Sequence, residues 1–304
     1  MSHLIRIRDL DKEFISTIIS EASHFLKNNK IKVDSHKELE GLTVANLFFE
    51  PSTRTRASFE LAAKKMGAHT INLDINTSSR KKGESIKDTI QTLEAMNVNL
   101  FVVRDANQGI CDEIATYLRS GLLINAGEST VSHPTQAILD LFTILQVHQK
   151  LNNLKIALVG DIAHSRVAAS DIEIFTMFGV KDIRLICPKH LQPKEVLPNT
   201  KVFHNLAEGI SKADVIIALR IQKERFMSNE EIPDEKSYFD QFGITESSLA
   251  LASPQVMIMH PGPMNRGVEI SDSVADGSHS HIVRQVTYGM AIRMAILKKL
   301  SSFL

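Results

Sequence analysis

The sequence has no excess of charge of either sign, and this removes several classes of partner from consideration. Lys+Arg and Asp+Glu both number 35 among the 304 residues, so the formal net charge is zero. A chain without a basic excess gives no indication of binding to nucleic acid or to an anionic membrane surface, and we expect neither partner. Any site for an anion must therefore be formed locally by a few residues.

Cysteine is also scarce. The two cysteines, Cys111 and Cys187, are far apart in the chain and belong to no CxxC motif or Cys/His cluster. This pattern excludes the usual zinc spacings and a disulfide framework. It favours a protein of the cytoplasm, where thiols stay reduced.

Long apolar runs are missing as well. No segment approaches the roughly 18 apolar residues that a membrane span requires, and the N-terminal MSHLIRIRDLDKEF has no apolar core of a signal peptide. We expect a soluble, unexported protein. The 43% hydrophobic and 23% charged content is typical of globular proteins, and 304 residues suggest two domains at about 150 residues each.

Short apolar segments rich in β-branched residues alternate with helical patterns along the whole chain. The predicted strands are 43–49, 69–74, 99–104, 122–127, 155–161, 182–188, 213–220 and 254–260. This alternation predicts an α/β fold of two domains, each a mostly parallel sheet flanked by helices. Long helices, one beginning near HPTQ and another at 286–300, would join the domains, which we place at 1–134 plus 285–304 and at 135–284.

The segment FFEPSTRTRASFE (48–60) places polar residues where a buried strand gives way to a helix. Apolar residues at 59, 62, 63 and 66 have helical spacing, and Gly67 marks the helix end. Ser52 and Thr53 are candidate N-caps, so one interpretation is an ordinary capped helix with solvated arginines. The density of N–H groups, hydroxyls and forked guanidinium groups at one helix start favours a phosphate site instead.

Two more polar motifs occur at predicted strand or helix ends in the first half. VVRD places Arg104 at the carboxyl end of a strand, where ligands of open α/β sheets bind, although a surface ion pair is the alternative. In SHPTQ, His133 precedes a proline suited to the first helical position, and Gln136 lies three residues further on the same helix face. His133 is either a helix cap or a ligand-binding residue.

The second half carries arginines at strand ends but no dinucleotide-binding glycine pattern. GDIAHSR (160–166) follows a strand without GxGxxG, which argues against NAD, and presents Arg166. ALRIQKER (218–225) likewise presents Arg220 and Gln222. Two arginines suit a dicarboxylate. MHPGPMNRGVEI (259–270) is predicted to form a rigid turn around Gly262.

FFEPSTRTR resembles the carbamoyl-phosphate signature of the aspartate and ornithine carbamoyltransferases, and the other motifs extend this resemblance across essentially the whole chain. The polar loop TSSRKKGES (77–85), by itself a solvated loop, is similar to a family loop that reaches a neighbouring subunit's active site. Its functional lysine would be Lys82 and its phosphate-binding serine Ser78. Arg80 stands where relatives often have a smaller residue, and Gly262 where they often have leucine or alanine.

The resemblance implies roles for individual residues. Carbamoyl phosphate would be bound by Ser52, Thr53, Arg54, Thr55, Ser78, Arg104, His133, Gln136, Gly262 and Pro263. Aspartate would be bound by Lys82, Arg166, Arg220 and Gln222, and the catalytic residues would be Arg54, Thr55, Lys82, Arg104 and His133. Arg56, deeper in the helix, is expected to serve structure.

The implied reaction is transfer of the carbamoyl group from carbamoyl phosphate to the amino group of L-aspartate, in pyrimidine synthesis. The amine is itself the nucleophile, so no covalent nucleophile, metal or organic cofactor is expected. The family also implies a homotrimer with active sites shared between subunits, and leaves a regulatory chain or a dihydroorotase open as further partners.

Two alternatives remain at this point. An ornithine carbamoyltransferase would share STRTR, but its usual HCLP and SMG motifs are absent, since the chain has HPGP at 260–263 and no SMG. The other alternative is a phosphate-ligand-binding protein without catalysis. Every expected ligand position is filled, which favours an enzyme.

Overall fold

The computed structural model of the chain describes residues 3–32, 36–73, 85–193, 195, 197–228 and 230–304. The chain forms two units. The first comprises Met1–Leu139 with Thr287–Leu304, and the second comprises Asp140–Val286. The two units divide within two helices, between residues 139 and 140 and between residues 286 and 287. These positions lie a few residues from the domain boundaries predicted above.

The elements of the first half are, in order, α1 (Lys12–His24), β1 (Leu26–Lys27), β2 (Lys30–Ile31), β3 (Thr43–Phe48), α2 (Thr53–Lys65), β4 (His69–Leu73), α3 (Ile86–Ala95), β5 (Leu100–Asp105), α4 (Ile110–Tyr117), β6 (Leu122–Glu128) and α5 (Pro134–Leu145). The second half contains β7 (Lys155–Val159), α6 (Arg166–Met177), β8 (Asp182–Ile186), β9 (Thr200–Phe203), α7 (Leu206–Ile210), β10 (Val215–Ala218), α8 (Glu235–Phe242), α9 (Glu246–Leu249), β11 (Met257–Met259), α10 (Asp272–Ala275) and α11 (Ile282–Ser301). Short 3₁₀ helices cover Ile7–Asp9, Lys189–Leu191 and Lys223–Arg225.

The sheet of the first unit has the order β4-β3-β5-β6, and all of its pairings are parallel. Its central strands are nearly continuous apolar runs because helices cover both faces of such a sheet. Leu47, Phe101 and Leu123 are completely buried in its core. The carboxyl ends of these strands therefore lie along one edge of the sheet.

The sheet of the second unit has the order β11-β10-β7-β8-β9, again entirely parallel. Val159, Ile216 and Ile258 are buried in its core. The predicted α/β fold with two mostly parallel sheets is thus confirmed. No helix within the described residues has the length and apolar character needed to span a bilayer.

Some elements differ from the sequence-based expectation. Strand β9 was not predicted, because this edge strand is short and none of its four residues is fully buried. The C-terminal helix begins at Ile282 rather than at 286, since the polar residues Arg284 and Gln285 are accommodated in its first turns. The two-residue strands β1 and β2 were also missed.

Helix α6 carries an unusual carboxyl group in the interior of the second unit. The Asp171 side chain is completely buried, and neither of its oxygens has a hydrogen-bond partner among the described residues. Burial, and then the charge of nearby Asp140, raise the pKa of Asp171 well above its ordinary value. Asp140 itself accepts a hydrogen bond of 2.7 Å from Gln285 Nε2. The pair is therefore most stable with a proton on Asp171.

This buried carboxyl predicts a pH-dependent stability. A group whose pKa is raised on folding stabilises the fold fully below its unfolded pKa, near 4, and that contribution is lost as the pH rises towards the folded pKa. The free energy of unfolding should therefore fall with rising pH, by up to about 1.4 kcal/mol per pH unit from this one group. Asp171→Asn should remove that slope.

The measurement is urea denaturation between pH 5 and 8 at one fixed protein concentration. Asp171→Asn should gain stability relative to the unmodified chain as the pH rises. The exposed Asp240 on α8 provides a matched control, and Asp240→Asn should leave the slope unchanged. If the two variants behave alike, Asp171 does not titrate as described.

Candidate active site

Helix α2 begins immediately after the carboxyl end of β3 and forms the first candidate anion site. Ser52 is the N-cap residue by position, but its hydroxyl accepts no capping hydrogen bond within the described part of the chain, and the first turn contains no acidic residue. The first N–H groups of a helix have no intrahelical partner and attract anions. The start of α2 therefore offers N–H donors within a turn that has no acidic residue of its own.

The residues of the first turn of α2 differ in exposure. Thr53 and Arg54 are exposed, Ser52 is half-buried, and Thr55 is buried. The exposed residues can reach a ligand at the helix start. The Thr55 side chain is covered by the protein.

Arg56 belongs to a different environment from Arg54. The pKa of the Glu60 carboxyl is lowered by hydrogen bonds from Lys64 and Asn72, and further by the charges of Lys64 and Arg56. Glu60 accepts these bonds at 2.6 Å from Lys64 Nζ and 2.9 Å from Asn72 Nδ2. Arg56 is thus one of the cations around a carboxylate in the middle of the helix.

The body of α2 is held by contacts within the first unit. Phe59, Ala62 and Ala63 are completely buried. Arg293 of α11 donates to Ser58 Oγ at 2.9 Å and lies over the Phe59 ring. Ser58 therefore has a structural partner in Arg293.

Arg104 lies one residue before the end of β5, paired in the sheet with Phe48 of β3. Its guanidinium donates to the Ala126 carbonyl at 3.2 Å and forms an ion pair with Glu50 at 2.6 Å. The side chain is 14% exposed. Because Glu50 follows β3 and precedes α2, this pair holds Arg104 at the edge where α2 begins. Glu50 was not predicted as a site residue.

His133 and Gln136 belong to the connection from β6 to α5. His133 directly precedes Pro134, the first residue of α5, and both His133 and Gln136 are buried. The loop before them is fixed by a hydrogen bond from Ser132 Oγ to the Ile5 carbonyl at 3.2 Å. Since β6 neighbours β5, the structure brings these residues to the same sheet edge as Arg104 and α2.

The second unit presents its candidates at the carboxyl edge of its own sheet. After β7, Gly160 has a φ of +142°, and a Cβ atom there would lie 2.2 Å from the Leu219 carbonyl oxygen. Only glycine allows this close approach of the turn after β7 to the segment after β10. Arg166 is the first residue of α6, where Ser165 caps the helix by accepting from the Ala168 N–H, and Arg166 is buried.

Asp161 joins these two segments. This buried carboxylate accepts from the Gln222 N–H at 3.1 Å and from the His164 N–H at 3.1 Å. Arg220 donates to Gln222 Oε1 at 3.1 Å and pairs with Glu224. Burial raises the pKa of Glu224, but hydrogen bonding and the charges of Arg220 and Arg225 lower it overall. The structure thus brings together the segments that carry Arg166, Arg220 and Gln222, through an aspartate that the sequence analysis did not select.

The turn after β11 is held by a buried histidine. The Gly262 N–H donates to His260 Nδ1 at 2.8 Å, so His260 Nε2 carries the proton and donates to Glu269 Oε1 at 3.0 Å. The Gly262–Pro263 peptide is cis, and Gly262 has a φ of +70°. His260 and Glu269 were missed from sequence, although both lie in the selected motif HPGPMNRGVEI.

Two predicted residues, Ser78 and Lys82, lie outside the described residues, as does Arg80. Within the described ranges, no cluster of three or more His, Cys, Asp or Glu side chains is arranged for a metal ion. The remaining candidates fall into two sets. The first unit carries Ser52, Thr53, Arg54, Thr55, Arg104, His133 and Gln136, and the second carries Arg166, Arg220, Gln222, Gly262 and Pro263.

The two units are parallel α/β units, each with cationic side chains at the carboxyl ends of its strands, an arrangement suited to anionic small molecules. Residues 2–146 match the family described as aspartate/ornithine carbamoyltransferase, carbamoyl-P binding domain. Residues 152–300 match the corresponding Asp/Orn binding domain. The chain belongs to the aspartate/ornithine carbamoyltransferase family and is a carbamoyltransferase.

Solved structures of aspartate and of ornithine carbamoyltransferases are similar to this chain. An aspartate transcarbamoylase from Trypanosoma cruzi in complex with carbamoyl phosphate is 30% identical, with a TM-score of 0.89 over 98% of this chain and 96% of that one. The Trypanosoma cruzi enzyme in complex with carbamoyl aspartate and phosphate is 28% identical, with a TM-score of 0.88 over 98% and 95%. Ornithine carbamoyltransferase from Pyrococcus furiosus is 27% identical, with a TM-score of 0.85 over 97% and 96%.

Proposed function

We propose that this chain is an aspartate carbamoyltransferase. The α-amino group of L-aspartate attacks the carbonyl carbon of carbamoyl phosphate, the bond from that carbon to the phosphate oxygen breaks, and N-carbamoyl-L-aspartate and phosphate are released. The amine loses one proton in the process. The reaction would serve the synthesis of pyrimidines in the cytoplasm.

The observation that carries the choice of aspartate is the pair of arginines in the second unit. Arg166 and Arg220 follow neighbouring strands, β7 and β10, whose pairing is direct. The segments that contain them are joined through Asp161. Guanidinium groups bind carboxylates through two parallel hydrogen bonds, so two arginines match the two carboxylates of aspartate. The cationic side chain of ornithine would be repelled by the same charges.

The first unit supplies the chemistry for carbamoyl phosphate. We assign the phosphate to Ser52, Thr53 and Arg54 at the start of α2, with Ser78 completing this set. Lys82 would bind aspartate and also stabilise the departing phosphate. Thr55, Arg104 and His133 would donate to the carbamoyl oxygen as negative charge develops there, and Gln136 would hold the carbamoyl NH2. Such preorganised donors lower the barrier because they need no reorganisation during the reaction. Orientation of the two substrates supplies the remaining part of the rate enhancement.

Ornithine carbamoyltransferase is the second candidate, because the Pyrococcus furiosus enzyme is similar over the whole chain. The deciding assay incubates the protein with carbamoyl phosphate and either L-aspartate or L-ornithine, and measures phosphate and ureido product. We expect product with aspartate only. Product with ornithine only would establish the second candidate. If neither amino acid gives product, both candidate functions are refuted.

We further propose a homotrimer in which Lys82 of one subunit completes the site of its neighbour. Mixing inactive Arg54→Ala chains with inactive Lys82→Ala chains should restore activity, since every mixed trimer has one site with both residues intact. With random exchange of subunits the recovery should approach about a quarter of the unmodified activity. Each variant alone is the control, and no recovery after verified exchange would contradict shared sites. A regulatory chain or a dihydroorotase would be a further partner of this trimer.

A further inference from the structure

Three histidines of the second unit form a cluster at the amino ends of its strands. His148 follows the end of α5, and its N–H donates to the Ile144 carbonyl at 2.8 Å. His279 and His281 directly precede α11. Burial lowers the pKa of His281, and the charges of Arg284, His148 and His279 lower it further, so the three rings lie within electrostatic reach of one another. None of these histidines belongs to the residues assigned to the substrates.

The segment 279–281 continues the sheet of the second unit beyond β11. The His281 N–H donates to the Ile258 carbonyl at 2.8 Å, and the His279 carbonyl accepts from the Ile258 N–H at 2.9 Å. His279 Nδ1 donates to the Val256 carbonyl at 3.1 Å. These bonds attach the segment to β11 and to the residue that precedes this strand.

His281 occupies the N-cap position of α11, where a positive charge is unfavourable. The helix begins at Ile282, and the His281 carbonyl accepts from the Gln285 N–H at 2.8 Å. The free N–H groups of a helix start carry a partial positive charge. Arg284, exposed in the first turn, adds a full positive charge. An imidazolium ion at position 281 would therefore be repelled both by the helix start and by its neighbours.

Two ring nitrogens of the cluster are buried without a hydrogen bond. His148 Nε2 and His281 Nδ1 are shielded from solvent and have no partner among the described residues. Burial also lowers the pKa of His148, although the charge of Asp214 raises it. A neutral imidazole can leave one nitrogen without a proton, whereas an imidazolium carries an N–H at both nitrogens and would bury a charged donor without an acceptor. The closed arrangement therefore fits two neutral rings.

We propose that His148 and His281 form an acid-released latch: as neutral rings they allow the first turn of α11 to close against the sheet, and their protonation releases that turn. The groups that face His281 are Arg284, His148 and His279, and those that face His148 are Asp214 and His281. The latch does not depend on which amino acid the enzyme uses.

The released turn contains a glutamine that supports the turn after β11. Gln285 is buried, its Oε1 accepts from the His260 N–H at 2.9 Å, and its Nε2 donates to Asp140 Oδ1 at 2.7 Å. His260 in turn accepts from the Gly262 N–H. Opening of the first turn of α11 would therefore remove a support of the segment that carries Gly262.

The direction of the pH effect follows from the lowered pKa values. In an open turn both rings are exposed to solvent, and their pKa returns to about 6.5. Above that pH neither form gains protons and the closed turn is favoured. As the pH falls, the open form is protonated first, and the penalty on the closed form is complete only below its own pKa values. The opening constant should rise by up to about tenfold per pH unit for each histidine.

Hydrogen–deuterium exchange measured by mass spectrometry, corrected for the intrinsic exchange rate, reports this opening. Peptides that cover 277–288 should exchange about 3- to 10-fold faster at pH 5.5 than at pH 7.5. Arg284→Gln keeps both histidines but removes a neighbouring charge, so its increase should be smaller. The double variant His148→Gln/His281→Gln should show no increase. His190 is an exposed histidine of the same unit, and the control His190→Gln should match the unmodified chain.

Three results would overturn the latch: no faster exchange of 277–288 in acid, an acid response of the double variant equal to that of the unmodified chain, or an undiminished response of Arg284→Gln. If the double variant is open at every pH, titration of the unmodified chain decides. Carbon-13 NMR of histidine-labelled protein, assigned with the single variants, measures the pKa of His148 and of His281. Values below 6.5 for both support the latch, and a value at or above 6.5 for either one overturns it.

Discussion

Arg54→Ala is expected to lower kcat/KM for carbamoyl phosphate by about 10²- to 10³-fold, whereas Arg56→Ala should cost less than about fivefold. The two arginines are two residues apart, yet they lie in different surroundings. Arg54 is exposed in the first turn of α2, whose N–H groups lack a side-chain cap from Ser52. Arg56 is half-buried and contributes to the charge around Glu60.

The size of the expected loss follows from the type of contact. The helix start alone favours an anion by only about 0.3–1 kcal/mol, so most of the phosphate affinity must come from Arg54 and the hydroxyls. A guanidinium that donates two hydrogen bonds to a departing phosphate stabilises charge in the transition state. Arg56 contributes only one of the charges around Glu60, and charge interactions near the surface stabilise by at most about 1 kcal/mol.

Steady-state kinetics with carbamoyl phosphate, combined with calorimetric titration of inorganic phosphate, measures both effects. Arg54→Lys is a useful third variant, since it keeps the charge but loses the planar fork, and it should recover only part of the activity. Equal losses for Arg54→Ala and Arg56→Ala would show that the division between ligand and structural residues is wrong. Tm values of all variants check that each one folds.

Arg220→Ala is expected to raise the KM for aspartate by roughly 10- to 100-fold, which corresponds to the 1.5–3 kcal/mol of a hydrogen bond to a charged group. Arg220 donates to Gln222 Oε1 and pairs with Glu224, and it follows β10 at the carboxyl edge of the second sheet. Removal of this guanidinium leaves Arg166 as the remaining arginine of the proposed pair. The binding of phosphate should be unaffected because that set belongs to the first unit.

Lys223 is the matched control for this prediction. It lies three residues from Arg220 in the same segment, but its Nζ pairs with Glu235 at 2.6 Å and about half of its side chain is exposed. Lys223→Ala should change the KM for aspartate by less than about twofold, because an exposed ion pair contributes little. If Lys223→Ala matches Arg220→Ala, the effect reflects general charge in the segment rather than a specific carboxylate contact.

The fold class was predictable from the sequence because its signal is periodic burial. β5 and β6 each begin with an apolar run and are buried over nearly their whole length, as a parallel sheet covered by helices requires. The face of α2 likewise followed from apolar residues at helical spacing, and Phe59, Ala62, Ala63 and Met66 are all buried. Strand β9 escaped prediction because an edge strand with two exposed residues has no such signal.

The candidate site was predictable in part. Polar residues that directly follow an apolar strand, such as Arg104, can be selected because the carboxyl ends of parallel strands carry the ligands of α/β proteins. The acidic partners were missed because their motifs do not show what the acids contact. Glu50 is defined by Arg104, more than fifty positions further along, and Asp161 by Gln222, sixty-one positions further. One signal was available in both cases, since each acid also follows a strand end.

By itself the sequence determined the sheets and helices, the position of the donors at strand ends, and the family to which these motifs belong, since all of these depend on short-range order along the chain. Only the tertiary structure decided the partners: Glu50 for Arg104 and Asp161 for Gln222. The physical reason is that burial is encoded by local periodicity, whereas a hydrogen bond requires two groups within about 3 Å. Strand register and loop closure bring distant residues to that distance, and neither is written in any single motif.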